Sequence, residues 1–298
     1  MGLKLKPNSK ILIEGHPEYR FHIKTCLNFP DAGFRGNVVP RPLVGVAVGD
    51  SFTFGRGVEA EEAWPEQLSR LAGRNFANLG VGGYGPPQYT SVLKRYGLAL
   101  NPELVLYGTY LDNDLRDAAV FAQWQQKGRA NMERFFAGSR RFLARHSRLY
   151  QLLHPPKISQ AVGDPRMLVM WESELPAMLR KIAGEALRDA ILSTQQLTQQ
   201  GGATLVLVLS PSKAQAYHLR RPRAEGDTLQ FLQLCEDYRI RCLDLTPSFQ
   251  ERTLAGDQLY FRMDDHWNAA GHRLAARTIY DYLVSQRLLK GAPVVTQK

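Results

Sequence analysis

Three short apolar runs constrain this chain more than any other feature. They are Leu43-Val44-Gly45-Val46-Ala47-Val48, Leu104-Val105-Leu106-Tyr107 and Thr204-Leu205-Val206-Leu207-Val208-Leu209. Each is too short for a buried helix, and none alternates as a half-exposed strand does. Such runs belong to a sheet covered on both faces, the environment of parallel strands. Two shorter strands are expected at 76–79 and 241–245. Helical segments separate them, at 63–71 with Pro65 in the first turn, at 88–100, at 185–199 closed by Gly201-Gly202, at 231–238, and at 270–288 with Asn268 as cap. Strand and helix alternate, so the predicted class is α/β, a parallel sheet between helical layers. Ligands of such sheets sit beyond the carboxyl ends of the strands.

Two stretches fall outside that rhythm. Residues 1–40 are rich in Pro, Gly and Asn and are expected to form an irregular, extended arm over a main domain of residues 41–298. From about 117 to 179 there is no strand-like run, only amphipathic stretches punctuated by Pro155-Pro156 and Gly163-Asp164-Pro165. That section is expected to be a helical insertion at one end of the sheet, in the position of a lid.

Composition narrows the class of function. The chain of 298 residues is 44% hydrophobic and 22% charged, as ordinary globular proteins are. No stretch approaches the roughly 20 apolar residues of a membrane span, and the start lacks the apolar core of a signal peptide. The expectation is a soluble chain without stable membrane insertion, cytoplasmic as given, and periplasmic or secreted if a leader has been trimmed. The net charge of +10 comes from Lys and Arg spread along the chain, without any zinc-finger or RNA-binding pattern. Nucleic acid is therefore not an expected partner, whereas an anionic polymer is compatible with the charge. Three cysteines, Cys26, Cys235 and Cys242, form no disulfide framework by spacing, and Cys235 and Cys242 can pair only if the fold brings them together. This usage favours a reducing compartment, with Cys242 a buried thiol.

The residues able to carry chemistry cluster at expected strand ends. Gly49-Asp50-Ser51 ends the first run, and glycine allows the sharp turn that would leave the Ser51 hydroxyl projecting at the sheet edge. Alone, such a tripeptide is usually a turn whose Asp and Ser satisfy local backbone. Gly80-Val81-Gly82-Gly83-Tyr84-Gly85 follows the second strand. Its glycines permit close approach and free N–H groups, as an oxyanion needs, but lack the spacing of a dinucleotide loop. Asn113, after the third strand, can donate an amide hydrogen bond, although Asn, Asp and Gly also build plain turns. The neighbouring Asp112, Asp114 and Asp117 lack companions spaced for a metal. In Asp264-Asp265-His266-Trp267-Asn268 an imidazole has a carboxylate two residues before it. On an extended loop Asp264 would face the ring and Asp265 would turn away. His272 is expected to be structural, and the remaining histidines lack an identifiable acidic partner.

Together four blocks resemble the SGNH/GDSL hydrolase superfamily: 49–55 (GDSFTFG), 78–85 (NLGVGGYG), Asn113-Asp114 and 264–268 (DDHWN), in the family's order. The resemblance spans residues 43–288, loosely across the insertion. It implies a three-layer α/β/α fold with a flavodoxin-like parallel sheet. It implies Ser51 as nucleophile, His266 as base and Asp264 as the acid, with the N–H groups of Ser51 and Gly83 and the Asn113 side chain as oxyanion hole. No cofactor and no metal are implied. The commonest family pattern places the acid three residues before the histidine, where this chain has Met263. The Asp-x-His-Trp-Asn form is instead similar to the polysaccharide O-acetyltransferase and acetylesterase branches. Residues 6–36 resemble the stretch that follows a membrane anchor in related proteins. The function implied is a serine-dependent hydrolase of O-acyl esters, short-chain or acetyl, on a carbohydrate or small-molecule alcohol. The alternatives are an O-acyltransferase acting on a carbohydrate and a non-catalytic glycan-binding module.

Overall fold

A computed structural model describes residues 5–36, 43–122, 177–219 and 222–289. Most of the expected insertion, residues 123–176, lies outside the described residues. The central sheet contains β4 (Leu43–Val48), β5 (Asn75–Asn78), β6 (Leu104–Thr109), β7 (Thr204–Leu209) and β8 (Arg241–Asp244). They run in the order β5-β4-β6-β7-β8, and every neighbouring pair is parallel. This is the flavodoxin-like order, with its topological switch where the connections leave β4 in opposite directions.

Alternate side chains of each strand feed two separate cores. Val46, Val48, Val105, Tyr107, Leu205 and Leu207 pack with Tyr89, Leu187, Ile191 and Phe231. Those residues lie on α3 (Pro86–Val92), α4 (Ala177–Gln200) and α6 (Pro222–Asp237). Leu104, Leu106, Val206 and Val208 face the other way, toward Leu68, Phe249, Ala275, Ile279 and Leu283. These belong to α2 (Trp64–Ala72), α7 (Thr246–Leu254) and α8 (Ala269–Ser285). The three-layer α/β/α arrangement follows directly from that period-two division.

Several boundaries differ from the expectation. The helix expected over 88–100 is α-helical only in α3, then widens to a π turn over Leu93–Gly97 and tightens to a 3₁₀ turn over Leu98–Leu100. Helix α6 begins nine residues before the expected 231, at Pro222. Two further helices, α5 (Lys213–Ala216) and α7, had no sequence expectation.

The largest correction is at the N-terminus. Instead of an irregular arm, β1 (Lys10–Ile13), β2 (Phe21–Phe29) and β3 (Ala32–Arg35) form an antiparallel sheet. Phe21, Ile23, Thr25, Leu27 and Phe29 alternate with polar residues, the period of a half-buried strand. That periodicity outweighs the local Pro, Gly and Asn content. A second correction concerns sulfur. Cys235, at the end of α6, and Cys242, in β8, form a disulfide, with Cα atoms 6.2 Å apart. The three-residue turn between the two elements folds the chain back, so neither is a free thiol; Cys26 is.

Candidate active site

The site forms at the carboxyl ends of β4, β5 and β6. Asp50 and Ser51 open α1 (Ser51–Phe54), a single helical turn. Asp50 caps it, its Oδ1 accepting the Phe52 N–H at 2.8 Å. Gly49 is required here by close approach, because a Cβ would meet Thr53 Cβ at 2.9 Å and the Gly108 carbonyl at 3.0 Å. The turn therefore packs flush against β6 and presents the Ser51 side chain at the sheet edge.

His266 reaches Ser51 from the other end of the chain, its Nε2 lying 2.7 Å from Ser51 Oγ. Its Nδ1 is hydrogen-bonded to Asp264 Oδ1, and the same oxygen accepts the His266 backbone N–H at 2.8 Å. A carboxylate only accepts, so Nδ1 carries the imidazole hydrogen and Nε2 is left to accept from the Ser51 hydroxyl. The two-residue spacing thus lets one carboxylate oxygen hold both the ring and the backbone of His266. Met263 is 45% exposed and points away. Phe52 lies against the imidazole, ring centroids 5.1 Å apart, and packs edge-on against Trp267. Ser51, His266 and Asp264 are all buried.

The loop carrying His266 is pinned from two sides. The Lys213 ammonium donates to the carbonyls of Phe261 and Arg262 at 2.7 and 2.8 Å. The Glu18 carboxylate accepts the N–H groups of Arg262 and Met263. Asn268 caps α8 immediately afterwards, accepting from the N–H groups of Ala270 and Gly271.

The glycine turn and Asn113 both adjoin the Asp50-Ser51 turn. Asn78 ties the glycine turn to α1: its amide donates to the Thr53 carbonyl at 2.9 Å and its oxygen accepts the Gly80 N–H at 3.0 Å. A Cβ on Gly82 would lie 3.9 Å from that of Ser51, so the turn passes close to Ser51. Gly83 takes φ of +80°, a conformation L side chains rarely adopt. Among the described residues nothing accepts the N–H of Ser51 or of Gly83. Asn113, on the helical segment 111–122, donates to Asp50 Oδ2 at 3.1 Å, which leaves its second amide hydrogen available. Burial pushes the Asp50 carboxyl up to about 6, against the opposing pull of its bonds from Phe52 and Asn113. Asp114 is a structural group: fully buried and pushed well above the usual carboxylate range, it accepts from the Tyr89 hydroxyl at 2.6 Å and the Tyr110 N–H at 2.9 Å.

Two contacts at Asp264 have no signal in the local sequence. The Tyr19 hydroxyl donates to Asp264 Oδ2 at 3.0 Å, and His16 Nε2 lies 3.9 Å from the same oxygen. The expectation that no other histidine has an acidic partner is thereby corrected, for His16 and also for His22, whose Nδ1 is 3.1 Å from Glu59. Both contacts join segments far apart in the chain, and no local spacing encodes them.

Residues 165–297 match a family described as SGNH hydrolase-like domain, acetyltransferase AlgX. The crystal structure of an acetyl xylan esterase, AlAXEase, superposes with a TM-score of 0.50 at 12% identity, over 80% of this chain and 100% of that one. Residues 165–297 thus resemble an SGNH hydrolase-like domain, and the chain shares the fold of the esterase structure. The crystal structure of a member of the lipolytic protein G-D-S-L family from Veillonella parvula DSM 2008 matches over 81% of this chain and 98% of its own, with 12% identity and a TM-score of 0.49. In sequence, the chain is 30% identical over 109 residues to the Probable alginate O-acetylase AlgJ of Pseudomonas putida KT2440. That match covers 35% of this chain and 28% of the relative.

Proposed function

We propose that the protein is a serine-dependent acyl-transfer enzyme that passes a short acyl group, acetyl first, to a carbohydrate hydroxyl through an acyl-Ser51 intermediate. The observation that carries the reading is the continuous hydrogen-bonded line Ser51 Oγ, His266 Nε2, His266 Nδ1, Asp264 Oδ1. Ser51 Oγ attacks the ester carbonyl carbon as its proton passes to His266 Nε2. Asp264 orients the imidazole and stabilises it when charged. The tetrahedral oxyanion is received by the N–H groups of Ser51 and Gly83 and the free amide hydrogen of Asn113. Collapse breaks the ester bond, and the donor's oxygen leaves with the proton from His266. The acceptor hydroxyl then gives its proton to His266 and attacks the acyl carbon, returning Ser51.

Water in the acceptor's place makes the same site an O-acyl ester hydrolase, which is the sequence expectation. The acetyltransferase family match over the His266 block and the alginate O-acetylase relative favour a carbohydrate hydroxyl. The net charge of +10 favours an anionic polysaccharide among carbohydrates. The Cys235–Cys242 disulfide favours an oxidising compartment, periplasmic or secreted, over the cytoplasm.

The test is turnover of p-nitrophenyl acetate with and without alginate oligosaccharide. Acetylated oligosaccharide supports transfer; free acetate alone, with acceptor in excess, overturns it in favour of hydrolysis. Ser51→Ala should lower turnover by about 10³-fold or more, and unchanged turnover would remove the nucleophile assignment. Affinity for the oligosaccharide without turnover of any ester would favour a glycan-binding module.

A further inference from the structure

The segment between β1 and β2 inserts into the site from the N-terminal sheet. Tyr19 is buried, its ring stacked on His16 at 3.9 Å between centroids and tilted against Phe261 at 4.7 Å. The phenol occupies the one Asp264 oxygen that His266 does not use: Oδ1 takes both N–H groups of His266, and Oδ2 takes the Tyr19 hydroxyl. Arg56, just past the C-cap of α1, donates in turn to the Tyr19 oxygen at 3.4 Å. Its own backbone N–H donates to the Ser51 carbonyl. The line of hydrogen bonds from Ser51 through His266 and Asp264 to Tyr19 therefore closes through Arg56 back onto the turn that holds the serine. One residue before Tyr19, Glu18 grips the two N–H groups directly preceding Asp264.

We infer that Tyr19, supplied by the N-terminal sheet, is a positioning residue that orients the Asp264 carboxylate for its work on His266. The inference rests on the acyl-Ser51 reading. A carboxylate two residues from its histidine hangs on a short, tightly curved loop. With only Oδ1 engaged it can rotate about its Cβ–Cγ bond and exchange oxygens. Anchoring Oδ2 fixes that rotation, so that Oδ1 stays in the imidazole plane through the charge changes of each half-reaction. Burial and the neighbouring Asp264 charge push the Tyr19 phenol up to about 12, so it remains a donor across the working range. Burial lowers the His16 imidazole from its ordinary value and leaves it neutral at neutral pH, a stacking partner for the phenol.

The experiment compares Tyr19→Phe and Ser51→Ala in the full chain, with p-nitrophenyl acetate turnover and the rate of Ser51 labelling by a p-nitrophenyl phosphonate as readouts. Tyr19→Phe keeps the ring contacts and removes one hydroxyl. The expected result is a fall in kcat of roughly 10- to 100-fold, the range for one lost hydrogen bond to a charged group. KM should stay within about twofold, and phosphonate labelling should slow in parallel with kcat. If Tyr19→Phe does not fold, Glu18→Ala carries the test and should show the same loss confined to kcat. Turnover and labelling within about twofold of the parent, with Ser51→Ala inactive, would overturn the role of Tyr19 alone. Turnover surviving in Ser51→Ala would overturn the acyl-enzyme reading and this inference with it.

Discussion

Burial, more than charge pairing, sets how the ionisable residues around the site behave. Asp50 has no cationic partner among its bonds; it is held by the Phe52 N–H and the Asn113 amide, and burial raises it to about 6. Its contribution to stability is full below the ordinary carboxylate value and is lost as pH rises through 6. His272 behaves in the opposite sense. It sits on α8 against Trp267, 1% exposed, its Nδ1 without a hydrogen-bond partner among the described residues. Burial pushes it down to about 3. Between that value and the ordinary 6.5 the unfolded chain binds a proton that the native state cannot, so stability present above 6.5 is lost as pH falls. Because the two groups oppose each other, the difference between variant and parent isolates the histidine. We expect His272→Phe to lose less unfolding free energy than the parent between pH 7 and pH 5, by about 2 kcal/mol, in urea titrations at the two pH values. Parallel losses in both proteins would show that His272 is protonated in the fold.

At the scale of elements, Arg35 ties the N-terminal sheet to the turn that carries Ser51. This arginine ends β3, is 1% exposed, and lies between the rings of Phe21 and Phe54, 5.0 Å from each centroid. Its guanidinium donates to the carbonyls of Phe54 at 3.1 Å and His22 at 3.0 Å, and also to those of Gly55 and Val58. Two of those carbonyls end α1, where a cation also complements the helix terminus. Burial lowers the guanidinium to about 10, so it stays charged at neutral pH. Replacing it leaves several buried carbonyls unsatisfied. Arg35→Met should cost about 3 kcal/mol or more in a urea unfolding series, and a shift under 1 kcal/mol would show that the clamp matters little. Legibility in the sequence also divides by element. Strand β7 was readable to the residue because an unbroken apolar run admits one environment. The GDS, glycine-turn and DxH blocks were readable because each needs particular residues at fixed short spacing. The N-terminal strands were not, since their alternation competes with turn-forming residues at every end. Neither was the Tyr19–Asp264 bond, whose partners are 245 residues apart, nor the Arg35 clamp, whose acceptors are backbone carbonyls and carry no sequence signal.

On the scale of the whole molecule, the serine follows β4, where the 2-1-3-4-5 strand order opens a crevice. The histidine arrives from the other end of the chain on a loop stapled by Lys213, Glu18 and Tyr19. Side chains distant in sequence therefore hold one short loop over one short helical turn. Among the described residues no helix is long and apolar enough to cross a membrane. Acyl transfer through Ser51 is tested most sharply by mass spectrometry of the protein mixed with excess p-nitrophenyl acetate, acid-quenched within the first turnover and digested. The expected result is a single acetyl group on the peptide containing Ser51, formed at the rate of the p-nitrophenol burst and absent from Ser51→Ala. Turnover with Ser51 unmodified at every time point, or with the acetyl group on another side chain, would contradict it.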